Sequence, residues 1–181
     1  ITVTGVDDDL IDGLITSSVT ISVIDEISDN TFDDISDESI SVTTADDDTA
    51  GFTITETDGS TEVDESGTTD TFTIVLDAEP ASDVVLDITS SDTGEATVTS
   101  TVTFTDANWD TPQTVTVTGV DDNLVDGNID STVTITVDDA NSNDDFDAVA
   151  DQTVTTTTTD DDDAGFTVVE SGGSTSVDES G

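Results

Sequence analysis

The side chains with chemistry to offer are carboxylates, and they recur in a pattern. DDDLIDG at Asp7–Gly13 returns as DDNLVDG at Asp121–Gly127, and DDDTAGFT at Asp46–Thr53 returns as DDDDAGFT at Asp160–Thr167. Among 181 residues there are 45 Asp plus Glu and no Lys, Arg or His, a formal charge of −45. No ion pair with a basic side chain can form. Nucleic acid and anionic membrane surfaces are poor partners, since both need positive charge on the protein. With no Cys there is no disulfide and no thiolate ligand. Donor groups that are all oxygen select a hard cation over zinc or copper. Six to eight oxygens at flexible distances suit Ca2+ better than octahedral Mg2+. The alternative is a solvated acidic surface; recurrence of the two motifs at one phase favours the cation.

That phase comes from a long repeat. Residues 1–67 align without a gap on 115–181, an offset of 114, with 39 of 67 positions identical. The aligned stretches close on STEVDESG and STSVDESG. Such a period is too long for a solenoid turn and suits a small domain. Residues 46–159 read as one complete repeat, 1–45 as the end of a preceding one and 160–181 as the start of a following one. The chain is then a window on a longer tandem array.

The elements that must hold the carboxylates are strands. Phe52–Thr57, Thr71–Leu76, Val84–Thr89, Thr101–Thr105, Thr114–Thr118, Thr132–Val137 and Thr153–Thr159 mostly alternate apolar residues with Thr, the period of a strand with one dry face. About seven antiparallel strands in such a length predict an all-β fold, a β-sandwich of the immunoglobulin-like kind. Each strand carries the chain from one end of the sandwich to the other. By that count the loops holding Glu65, Asp92, Glu95, Asp121, Asp122, Asp126 and Asp160–Asp163 gather at one tip. At close range such carboxylates repel by several kcal/mol, about 4 at an interfacial dielectric. Asp138, Asp139 and Asp144 fall at the opposite end, facing the preceding unit. Trp109 reads as a lid on the core, away from the acidic tip. Gly51 and Gly165 follow the acidic runs and predict close backbone approach or positive φ.

A strand ending in GVDDNLVDG, a final strand running into DDDDAGFT, and VDES near the start together resemble the Calx-β domain, found in sodium–calcium exchangers and very long bacterial surface proteins. TFTDANWDTPQTVTVTGVDD is similar to stretches of large repetitive bacterial adhesins. The resemblance implies a seven-stranded sandwich with several Ca2+ at the tip facing the next domain. Position by position it implies ligation by Glu65, by Asp121, Asp122 and Asp126, and by Asp160, Asp161 and Asp162, with Glu95 from the third-to-fourth strand connection. In the preceding unit Asp7, Asp8, Asp12, Asp46, Asp47 and Asp48 hold the same phase. Other calcium signatures are missing: DDNLVDG has its Gly one place late for an EF-hand and lacks the later Glu.

The expected role is a calcium-binding structural repeat of an extracellular bacterial fibre, stalk or adhesin, with a part in cell adhesion or biofilm. Ca2+ at the junctions would stiffen the array. The expected partners are neighbouring repeats and, in a fibre, identical chains. Two rivals are a calcium-dependent glycan or surface recognition module and a filament subunit bridged laterally by cations. Catalysis is not expected, since His, Cys, Lys, Arg and Tyr are all missing and the carboxylate pairs have no aromatic cleft beside them. No run approaches the roughly 18 apolar residues of a membrane span, and no signal peptide opens the sequence.

Overall fold

Alternation of Val or Ile with Thr produces strands because branched side chains suit a pleated surface with one face packed and one wet. The computed structural model describes residues 1–180; Gly181, at the end of the 160–181 segment, lies outside the described residues. The strands are β1 (Ile15–Ile21), β2 (Glu38–Thr44), β3 (Phe52–Glu56), β4 (Thr61–Asp64), β5 (Thr69–Leu76), β6 (Val84–Ser90), β7 (Ala96–Val98), β8 (Thr101–Phe104), β9 (Gln113–Gly119), β10 (Ile129–Val137) and β11 (Gln152–Thr159). Strands β3 to β11 form a five-stranded sheet in the order β4-β11-β10-β6-β8 and a four-stranded sheet in the order β3-β5-β9-β7. Between them lies one apolar core that includes Phe72, Ile74, Leu86, Phe104, Val115, Val133 and Ile135, all sealed from solvent. On β10 the inward series Ser131, Val133, Ile135 and Val137 is buried while Thr132, Thr134 and Thr136 between them keep solvent contact.

All seven expected strands are present, but the count and the pairing need correction. Two further strands, β4 and β7, arise where the chain changes sheet. After β3, Asp58 (φ 57°) and Gly59 (φ 86°) turn the backbone, and β4 continues in the opposite sheet. There it pairs in parallel with β11, Thr61 opposite Thr156 and Asp64 opposite Thr159, so the fold is not wholly antiparallel. β7 and β8, only two residues apart, likewise lie in opposite sheets. Segments of three or four residues are too short to show a period, which hid both.

The acidic tip and the opposite base are thereby separated by the length of the sandwich. At the base, Trp109 packs against the core and its carbonyl accepts from the Leu76 amide at 3.1 Å, so it is the lid expected. Neither Gly51 nor Gly165 has positive φ or a tight backbone neighbour: a Cβ at Gly51 would meet the Asp77 side chain, Oδ2 at 2.5 Å, and one at Gly165 would meet nothing tightly.

Residues 1–45 contribute the β1–β2 hairpin. Its register, Ile15 opposite Thr44 through Ile21 opposite Glu38, is that of β10 and β11, Ile129 opposite Thr158 through Ile135 opposite Gln152. Residues 160–180 form no strand, and Phe166 is 93% exposed where its counterpart Phe52 is 3% exposed.

Candidate metal centre

Four loops meet at the tip through main-chain bonds. The Glu65 amide donates to Thr159 O at 3.1 Å, Val120 N to Glu95 O at 2.8 Å, Gly119 N to Thr68 O at 3.0 Å, and Ser91 N to Thr132 O at 2.9 Å. Sequence-distant acids are thus set side by side by the ends of β4, β6, β9 and β11. Gly119, the last residue of β9, has no room for a side chain, because a Cβ would run into the Asp64 carbonyl oxygen. This requirement was not read from the sequence; the Gly before Val-Asp-Asp in both copies is its signal.

Two carboxylate groups result. Glu65, Asp160 and Asp162 bring one oxygen each within 4.8 Å of the others, and so do Glu95, Asp122 and Asp126. The glutamates anchor both groups from below. Glu65 is 1% exposed and Glu95 7%, and Oε2 of each is buried without a hydrogen-bond partner, as is Asp162 Oδ2. Buried polar atoms are nearly always satisfied, and a buried carboxylate oxygen without a partner is costly. No cationic side chain exists in this chain to satisfy them. An oxygen-only donor set with buried, unpartnered oxygens fits a hard divalent cation such as Ca2+.

The electrostatics agree with the geometry. Burial raises the Glu65 carboxyl above its ordinary range, the Asp160 charge adds to this, and the Asp161 amide opposes it. Burial likewise raises Glu95, followed by the charges of Asp126, Asp92, Asp122 and Asp160. Asp162 is raised by burial and then by Asp161, Asp160, Asp121 and Asp122. Asp160 goes the other way, because backbone amides of Asp162 and Gly127 hold it ionised. Its Oδ1 accepts from Asp162 N at 2.8 Å and its Oδ2 from Gly127 N at 2.6 Å. Asp160 thus staples the DDNLVDG loop to the acidic run and keeps a charge beside two groups that resist one.

Of the expected ligands, Glu65, Glu95, Asp122, Asp126, Asp160 and Asp162 are brought together. Asp121 and Asp161 are exposed at the rim and belong to neither group; they contribute charge, and Asp161 an amide. In the preceding fragment the same staple recurs: Asp46 Oδ2 accepts from Asp12 N at 3.0 Å and Gly13 N at 2.6 Å, and Asp46 Oδ1 from Asp48 N at 2.9 Å. Asp48, like Asp162, is raised by burial and then by Asp46 and Asp47, with Asp9 and Asp7 adding. Among the described residues, Asp7, Asp8, Asp12, Asp46, Asp47 and Asp48 form no three-carboxylate group of the kind seen above.

No family model matches this chain, and no curated protein matches it. Among solved structures, the apo form of the Calx CBD1 domain is similar at 12% identity and a TM-score of 0.39, over 61% of this chain and 98% of that one. Domains 4 and 5 of the S-layer protein SbsC are similar at 22% identity and a TM-score of 0.39, over 67% of this chain and 59% of that one. SSP-19, an MSP-domain-like protein of Caenorhabditis elegans, is similar at 19% identity and a TM-score of 0.37, over 56% of this chain and 92% of that one.

Proposed function

We propose that this chain is a calcium-dependent structural module, one of a series of like sandwiches joined end to end outside the cell in a fibre, stalk or adhesin. The observation that carries the reading is the pair of buried glutamates, each with a partnerless oxygen and each grouped with two aspartates. Glu65, Asp160 and Asp162 would hold one ion and Glu95, Asp122 and Asp126 another, with Asp121 and Asp161 adding charge at the rim. The ion would supply the positive charge that this polymer lacks, and nothing catalytic is asked of it.

The chain's own residues do the rest. Acids from the ends of β4, β6 and β9 are bound together with the run that leaves β11, so what holds the tip also holds the exit of the chain. Asp160 fixes that exit to Gly127 before any ion arrives. A joint with so few linking residues loses its hinge when the run is tied down on both sides. Extracellular calcium modules work at about 10⁻⁴–10⁻³ M, concentrations met outside cells. Identical register in the β1–β2 and β10–β11 hairpins supports the tandem arrangement, with neighbouring repeats as the primary partners.

Calorimetric titration with Ca2+ tests the reading. Binding should be seen with the whole chain and should weaken on Glu65→Gln and on Glu95→Gln. Absence of any heat or thermal shift under millimolar Ca2+ would reject it.

A further inference from the structure

The two copies of the acidic loop differ in what lies under their apolar residues. Each carries an apolar pair between its aspartates, Leu10–Ile11 in the first and Leu124–Val125 in the second. The loops are built alike: Leu10 N donates to Asp8 Oδ1 at 3.1 Å and Leu124 N to Asp122 Oδ1 at 2.6 Å, while Asp46 and Asp160 staple Gly13 and Gly127. Yet Leu124 and Val125 are 61% and 57% exposed, whereas Leu10 and Ile11 are partly buried. The reason is that the first loop is seated on the base of the 52–159 sandwich. Ile11 packs against its apolar core, Leu10 forms a parallel bridge with Glu79, and the Glu79 amide donates to Asp9 O at 2.7 Å.

We propose that the apolar pair in each acidic loop is a docking plug for the base of the next repeat. Leu10–Ile11 fills this role in the present chain, and Leu124–Val125 presents the same surface to the base of a further copy. The proposal rests on the tandem reading given above. Its physical necessity follows from charge. The docked loop carries Asp7, Asp8 and Asp9, the base loop carries Asp77, Glu79 and Asp83, and no basic side chain exists to bridge the two. Apolar burial and a main-chain hydrogen bond are attractions that need no opposite charge. The plug also shares its loop with the metal candidates, since Asp122 both accepts the Leu124 amide and belongs to the group with Glu95 and Asp126. An ion that orders the loop therefore orders the plug.

Hydrogen exchange at the Glu79 amide reads the seat directly. In the 181-residue chain, Ile11→Asp should lower Glu79 protection by about tenfold or more, and Val125→Asp should leave it unchanged. Protection at Ile74 in the core reports that the sandwich is intact, and Ile11→Ala replaces Ile11→Asp should the latter fail that control. Gly181 aligns with Gly67, so a chain continued from Gly181 by a second copy of residues 68–159 supplies the next base. In that longer chain Val125→Asp should deprotect the second copy's counterpart of Glu79. Unchanged Glu79 protection in both Ile11 variants, or a silent Val125→Asp in the longer chain, would overturn the plug. Repeating the exchange in chelator separates the two readings: calorimetry without calcium binding would sink the metal centre, while loss of Glu79 protection in the Ile11 variants would still uphold the plug.

Discussion

Glu65 and Glu95 hold opposite consequences for the metal-free and the calcium-loaded protein. As buried carboxylates short of partners they oppose folding when no cation is present, and as ligands they would anchor it when one is. Replacing Glu65 with Gln should therefore cost about tenfold or more in calcium affinity, since ligand charge sets the affinity of such sites. In chelator the same variant should melt at a higher temperature than the wild type, because a buried charge has gone. Thermal unfolding of both proteins in Ca2+ and in chelator checks the crossing. The pH dependence follows from the same residues. Burial raises both glutamates in the folded state, so the folded chain keeps protons that the unfolded chain has released. Stability in chelator should be fullest near the ordinary glutamate value of about 4.3 and fall as pH rises through the raised values. Asp160 and Asp46 are depressed by backbone amides, and their contribution disappears only at still lower pH. With calcium the slope should reverse between mildly acidic and neutral pH, because ligands must be deprotonated to bind. Melting curves across that range, with and without the ion, decide it.

At the scale of strands and loops, the tip depends on close main-chain packing as much as on acids. Gly119→Ala drives a methyl group into the Asp64 carbonyl, next to the residue that positions Glu65. Such overpacking costs about 1–3 kcal/mol, and it should lower calcium affinity and thermal stability together. An unaltered titration would show that the β9 end can shift without disturbing Glu65. The two hairpins offer a second comparison. Ile21 of β1 and Ile40 of β2 are 49% and 53% exposed, while their counterparts Ile135 and Val154 are 0% and 3% exposed within the sandwich. Two-stranded hairpins without a covered face are marginal, so amides of β1–β2 should exchange far faster than those of β10–β11. Equal protection would mean that the fragment has found other cover. Most strands were legible because Thr alternates with Val and Ile. The breaks in them were not, since changing sheet needs only a turn such as Asp58–Gly59 and leaves strands as short as three or four residues.

For the whole molecule, a charge of −45 without a single basic side chain should make shape a function of cations. Three consecutive repeats should scatter as a stiff rod in millimolar Ca2+ and as beads on a flexible linker in chelator, with a broader distribution of maximum dimension. Monovalent salt should not restore the rod, since screening weakens repulsion between domains without supplying a ligand to the buried oxygens. A rod that persists in chelator would assign the stiffness to docking of Leu10–Ile11 alone.

Composition and period by themselves determined a great deal: a chain unable to pair its own charges, a domain-length repeat, strands throughout, and acids concentrated in loops that strand counting sends to one end. These follow because charge is additive and alternation is local. Tertiary structure alone decided that Glu65 and Glu95 lie under the tip with an oxygen each unpaired, that Asp121 and Asp161 stay at the rim, and that Ile11 is covered while Val125 is not. Depth and partnership depend on how two sheets stack and on what the next domain presses against a loop, and neither is written in the spacing of residues along one chain.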